Sequence, residues 1–284
     1  MEYRRFGRSG VKVSAIGMGT YYDFTSIVAA RLFGYWRGRR DKIAAIRKGI
    51  ELGINLIDTA QVYQTEPLIA EAIKEYRRDE LFIATKVLFL HLRYNQVLRA
   101  AERSLRNLQT SYIDLYQIHQ PSPLVPIKET MSAMEKLVEE GKVRYIGVSN
   151  FSLAQFKAAE GALSRCELIS NQVEYNLKVR RIETDLLPYC EENNIAVMAY
   201  RPIAHGALAE PSGDLREVID EISERYGGKN PAQIAINWLL SKRKVIFPIP
   251  RASRPARVIE NAGALGWSLE AVDMAKLENS VEKG

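Results

Sequence analysis

The chain has 284 residues, 46% of them hydrophobic, with 40 Lys and Arg against 34 Asp and Glu for a formal charge of +6, and only two Cys and three His. No stretch approaches the roughly 18 consecutive apolar residues of a membrane span. The two Cys, in SRCEL and PYCEEN, suit neither a disulfide framework nor a metal-site spacing, and basic residues alternate with acidic ones along helical patterns, which disfavours nucleic-acid binding. The charged start, MEYRRFGRSG, is unlike a secretory signal, and no Gly/Ser-rich or Pro-rich tract divides the chain, so a cytoplasmic protein forming one domain over 1–284 is expected.

In chain order, YRRFGRSGVKVSAIG (3–17) holds two short β-like runs around a Gly-Arg-Ser-Gly turn, which predicts a hairpin plugging one end of the fold. AIGMGT then reads as a strand ending at Thr20. The next segment, 21–41, is long and aromatic, and its part FTSIVAARLFGYW has the spacing of a short amphipathic helix. From there strands and helices alternate. The strand-like runs are INLIDT, LFIATK, DLYQIH, VRYIGVSN, ELISNQ, IAVMAY and KVIFPIPR, which reach polar ends at Asp58, Lys86, His119, Asn150, Gln172, Tyr200 and Arg251. The helical patterns cover 41–52, 66–76, 95–108, 127–140, 152–163, 181–193 and 231–242, and a last one covers 269–280. Asn230 and Pro231 form an N-cap and N1 pair, while Gly53 and Gly141 end helices just before strands.

Apolar runs of this length without strict alternation are strands buried on both faces of a parallel sheet. Eight of them, joined by one-sided amphipathic helices, predict an α/β fold: a (β/α)8 TIM barrel with an N-terminal β-hairpin plug and a C-terminal extra helix. The active site of such a barrel lies at the carboxyl ends of its strands, where the reactive side chains here accumulate. Asp58, Lys86 and His119 end three consecutive strands, and Tyr63 follows in the loop DTAQVY. A partly buried ammonium is costly unless paired, so Asp58 is the expected partner of Lys86. The Lys86 cation should lower the pKa of Tyr63 and make it a proton donor to a developing alkoxide. His119 would orient the carbonyl oxygen. With no activated Ser or Cys and three His, neither nucleophilic chemistry nor a multi-histidine metal site is expected, and the electron pair must come from a hydride cofactor.

The segments GMGT (17–20), INLIDTAQVY (54–63), ATK (84–86), YIDLYQIHQP (112–121), GKVRYIGVSNFS (141–152), SNQVEYN (170–176) and IPRASRPARVIEN (249–261) resemble the aldo-keto reductases in order and spacing over nearly the whole chain. That resemblance implies an NAD(P)H-dependent reductase of aldehydes and ketones, with Asp58, Tyr63, Lys86 and His119 as catalytic tetrad; a monomer is the default expectation. It also implies a cofactor extended across the barrel mouth without a GxGxxG motif. Gly19, Thr20, Arg201 and Ile203 join its binding set. Ser149, Asn150 and Gln172 are assigned to the carboxamide, Tyr200 to the nicotinamide ring, and Glu260 and Asn261 to the adenine. A 2′-phosphate needs donors of fork geometry, and Arg251, Ser253, Arg254 and Arg257 gather near a helix amino terminus, so NADPH is favoured over NADH. Many relatives have Lys-Ser at Arg251 and Ala252, Trp at Gln120, a Gly-containing turn at QTEP (64–67) and a shorter link at 21–41. These differences border the substrate pocket, whose expected wall is Tyr21, Tyr22, Trp36, Phe89 and Gln120. His91 and His205 are expected to be surface residues, and Arg37, Arg39 and Arg40 a solvated helix start able to attract anionic substrates. Potassium-channel β subunits also look like this family, which makes an NADPH-sensing regulatory subunit the alternative.

Overall fold

In the computed structural model, which describes residues 1–281, the chain opens with the expected hairpin, β1 (Tyr3–Arg5) paired antiparallel with β2 (Lys12–Ser14). The first barrel strand, β3 (Met18–Gly19), is short. The segment after it forms α1 (Phe24–Phe33), capped by Asp23 and ended by Gly34, and then α2 (Arg39–Glu51). The remaining elements are β4 (Leu56–Asp58), α3 (Glu66–Ile73), β5 (Phe82–Val87), α4 (Tyr94–Leu108), β6 (Ile113–Ile118), α5 (Ile127–Glu139), β7 (Val143–Ser149), α6 (Leu153–Glu160), β8 (Leu168–Glu174), α7 (Leu186–Glu192), β9 (Ala196–Tyr200), α8 (Asp214–Arg225), α9 (Pro231–Lys242), β10 (Ile246–Pro248), α10 (Pro255–Ala262) and α11 (Ala271–Asn279).

Strands β3 to β10 form one parallel sheet in sequence order. Its two edges meet: Gly17 N–H donates to Pro248 O at 2.8 Å, Gly19 N–H donates to Pro250 O at 3.1 Å, and Gly19 bridges Arg251. The barrel is therefore closed. A Cβ on Gly19 would come within 2.8 Å of Ile249 O, so the closure depends on a residue without a side chain there.

Side chains alternate along a strand, so every second residue of these strands faces the barrel interior. Those positions change character from base to mouth: Leu56 to Asp58, Phe82 through Ala84 to Lys86, Leu115 through Gln117 to His119, and Phe247 through Ile249 to Arg251. The apolar base is filled from the hairpin by Phe6, whose ring centroid lies 4.9 Å from Phe82 and 5.0 Å from Phe247. A second, larger apolar layer lies between the sheet and the helices.

Two features depart from the expected pattern. The 181–193 helix is split, because Asp185 caps α7 after a separate turn at Arg181–Glu183. One further helix, α8, precedes α9; it buries Leu215, Ile219 and Ile222 on an otherwise charged sequence. Elsewhere Ser152 and Asn230 cap α6 and α9 through capping boxes with Gln155 and Gln233, as Ser and Asn do at a helix start. Cys190 is buried in α7, and Cys166 lies before β8 rather than in a helix; both are free thiols.

Candidate active site

Asp58 ends β4 and Lys86 lies on the adjacent β5, both pointing into the mouth of the barrel. Lys86 Nζ donates to Asp58 Oδ1 and Oδ2 and to Thr59 O, each at 2.8 Å. Gln172 Nε2, from β8 across the barrel, donates to the same carboxylate at 2.8 Å. Both ionic groups are buried. Burial pushes the Asp58 carboxyl up and the Lys86 ammonium down, and each is held charged by the other. The pair thus acts as a fixed dipole at the bottom of the site.

Tyr63 stands above it, in the turn Gln61–Tyr63 that follows β4. Lys86 Nζ is 5.1 Å from the centroid of its ring, and its hydroxyl is 3.4 Å from His119 Nε2. Contrary to expectation, the Tyr63 phenol is pushed well above its usual value, first by burial and then by the Asp58 carboxylate. The physical reason is that Lys86 does not act alone: its charge is neutralised by Asp58 at contact distance, so desolvation of the phenolate wins. His119 is lowered to about 3 by burial and by Lys86, so it is a neutral imidazole.

The turn that presents Tyr63 is held by residues with no obvious sequence signal. Gln61 Oε1 accepts from Leu88 N–H at 3.2 Å, and the Gln61 amide lies 3.2 Å from His91 Nδ1. His91 is therefore half-buried and braces the turn rather than standing free on the surface. Gln64 adopts φ 58°, the left-handed region that disfavours side chains. Trp36 Nε1 donates to Gln64 O at 2.6 Å, so Trp36 clasps this turn from outside. Thr65 joins Thr59 and Thr20 through hydroxyl contacts of 2.9 Å, and Thr20 Oγ1 also donates to Asp58 O. The Thr20 hydroxyl is thus committed to the strand ends. Gln117 is a further member of the buried polar layer, beside Asp58.

The other expected residues fall into two groups. Around the mouth, Ser149 Oγ donates to Gln172 O at 2.9 Å, Asn150 Nδ2 donates to His119 O at 3.0 Å, and Tyr200 OH donates to Asn150 Oδ1 at 2.8 Å. Asn150, Arg201, Ala204 and His205 all have left-handed backbone, with φ between 47° and 64°. Strain of this kind clusters at ligand sites. Arg201 pairs with Glu174 at 3.2 Å, Ile203 packs against the core and His205 is exposed. Tyr21 lies edge-on to Tyr63, with centroids 5.1 Å apart. Phe89 and Gln120 are exposed, Phe89 in the turn after β5 and Gln120 just past His119.

The second group lies where β10 meets α10. Arg251, Ser253 and Arg254 line a cavity of about 470 Å³, and no side chain caps the amino terminus of α10. Tyr22 lies in this cavity, not beside Tyr63, and Arg37 reaches it as well. Arg257 instead pairs with Glu260 at 2.5 Å, and Asn230 Nδ2 donates to Glu260 at 2.9 Å. Asn261 is buried on the same helix. Arg39 starts α2 in an ion pair with Glu71.

Comparison with known proteins gives a consistent result. The model of the Aldo/keto reductase family matches residues 33–282. The chain is 34% identical to methylglyoxal reductase YeaE of Escherichia coli (strain K12), over 99% of this chain and 95% of that protein, and 32% identical to aldo-keto reductase YhdN of Bacillus subtilis (strain 168), over 99% and 94%. Among solved structures, thermostable aldo-keto reductase Tm1743 in complex with the inhibitor epalrestat superimposes with a TM-score of 0.88, 36% identity and coverage of 99% of this chain and 100% of that one. An aldo-keto reductase from Klebsiella pneumoniae in complex with NADPH gives 0.86, 34%, and coverage of 100% and 96%.

Proposed function

Because the chain belongs to the aldo/keto reductase family, we propose that it is an NADPH-dependent reductase of aldehydes and ketones, with Tyr63 as the proton donor. The observation that carries this reading is the stack of Asp58, Lys86, Tyr63 and His119 at one side of the barrel mouth. Small dicarbonyls are a fitting first substrate class, since relatives at 34% and 36% identity are a methylglyoxal reductase and a glyoxal reductase.

The residues present fit a nicotinamide cofactor. Ser149, Asn150 and Gln172 offer amide and hydroxyl groups at the mouth, Tyr200 offers an aromatic ring beside them, and the arginine-lined cavity follows β10, the parallel neighbour of β9. When bound, the nicotinamide supplies the hydride to the carbonyl carbon. The carbonyl oxygen sits between Tyr63 OH and His119 Nε2. Neutral His119 donates a hydrogen bond that orients it and favours charge building on it. As that oxygen gains the electron pair of the broken π bond, Tyr63 gives it the phenolic proton, and the alcohol forms.

The raised pKa of Tyr63 keeps the phenol protonated and ready at neutral pH. Once the proton has left, the phenolate faces Lys86, whose ammonium stabilises it while Asp58 and Thr59 hold that ammonium in place. Tyr63→Phe should lower kcat for methylglyoxal roughly 10²- to 10⁴-fold, while the dissociation constant for NADPH stays within about twofold because the hydroxyl is not a cofactor contact. Full turnover by this variant would refute the assignment.

A further inference from the structure

The segment between β3 and α2 puts an unusual charge arrangement against the cavity at α10. Arg37 and Lys42 line it from this segment and the first turn of α2, Arg251 and Arg254 from the chain between β10 and α10. Among the described residues none of these four cations is in an ion pair. Ion pairs are frequent elsewhere on the molecule, as at Arg8 with Glu160 and Arg243 with Glu191. Lys42 is the most telling. It is only 5% exposed, its Nζ lies 4.6 Å over the ring of Tyr22, and its one hydrogen-bond partner is Ser26 Oγ at 3.4 Å.

Two carboxylates, Asp23 and Asp41, also line the cavity. Asp23 is already engaged as the cap of α1, accepting from Ser26 N–H and from the hydroxyls of Ser26 and Thr25. Four cations against two carboxylates leave an excess of two positive charges around this cavity. The Tyr22 hydroxyl there is buried without a partner. A buried ammonium without a direct counter-ion is costly; Lys42 is linked to the Asp23 carboxylate only through the Ser26 hydroxyl, and a phosphate monoester carries a charge of about −1.5 to −2 at neutral pH. The charge around the space therefore suits a phosphate monoester, and the space has ample room for one.

We propose that Lys42 is a specificity-determining residue that holds the 2′-phosphate of NADPH from the side facing Arg251 and Arg254, so that segment 21–42 forms the second wall of the phosphate pocket. This rests on the NADPH reading above and adds to it a cation from α2, far in sequence from the arginines after β10. The segment thereby serves two neighbours at once: Tyr21 and Trp36 border the turn of Tyr63, and Tyr22, Arg37 and Lys42 close over the phosphate.

The test is fluorescence titration of the full chain with NADPH and with NADH, for the wild type, Lys42→Met, Lys42→Arg and Arg251→Met, with circular dichroism to verify folding. Lys42→Met should weaken NADPH about tenfold or more and NADH less than about twofold, with a shallower salt dependence for NADPH. Lys42→Arg, which keeps the charge and guards against a failure of the Met variant to fold, should retain most of the discrimination. Equal weakening of both cofactors by Lys42→Met would reveal a structural role and overturn the proposal. If Arg251→Met loses discrimination and Lys42→Met keeps it, this inference fails and the NADPH reading stands; if the wild type binds both cofactors alike, both fail.

Discussion

At the scale of single residues, the ionic core of the site follows from a simple cost. An ammonium at a buried strand end needs an anion, and the next strand in the barrel supplies one, so Lys86 and Asp58 could be paired from their positions in the chain. The acid strength of Tyr63 could not be read the same way. It depends on how completely Asp58 cancels Lys86 and on how much water is removed, and both are set by packing. His119 gives the same lesson and a measurable consequence. Its folded pKa is depressed to about 3 from the usual 6.5, so its contribution to stability is complete above pH 6.5 and is lost as pH falls toward 3, because only the unfolded chain takes up the proton. Between pH 7 and 5 the wild type should lose about 2 kcal/mol more than His119→Gln in urea unfolding. Equal losses would show that the imidazole is not held neutral.

At the scale of elements, the strand-end pattern located the mouth because inward positions must change from apolar to polar as they approach water. The hairpin was equally legible, but its depth was not. Phe6 enters the barrel base, and Gly7 beside it has φ 54° and a Cβ position 2.5 Å from Ile169 O. Gly7→Ala should therefore destabilise the protein by about 1–3 kcal/mol through backbone strain and overlap, with the turnover of the folded fraction unchanged, since the mouth lies at the other end. Denaturation midpoints with parallel rate measurements check this; an unaltered midpoint would mean the plug is not seated as described. The segment before α2 was readable as holding a short amphipathic helix. Its allegiance was not, because Tyr21 and Tyr22 are neighbours in sequence and face different pockets, and Lys42 in DKIAAIRK reads as one more solvated charge. Helix α8 escaped notice because Leu215, Ile219 and Ile222 are a narrow apolar stripe among acids and bases.

At the scale of the whole molecule, closure of the sheet between Gly17, Gly19 and the strand of Pro248 brings the two ends of the barrel sequence side by side. A ligand lying from the ends of β7 and β8 around to α10 and α2 would therefore tie together elements that are far apart in the chain. NADP+ at about 100 times its dissociation constant should stabilise the fold by about 2.7 kcal/mol, raising Tm by roughly 4–5 °C. NAD+ at the same concentration should raise it less. A melting temperature indifferent to both would refute the proposed cofactor.

The order of strands and helices, the polar strand ends and the pairing of Asp58 with Lys86 were dictated locally, by hydrophobic period and by the cost of burying charge, and these can be read along the chain. The direction of the Tyr63 shift, the bracing of its turn by Gln61 and His91, and the gathering of Arg37 and Lys42 opposite Arg251 arose only on closure. Each depends on the sum of several distant groups and on the water that their packing excludes, and no local stretch of sequence carries that sum.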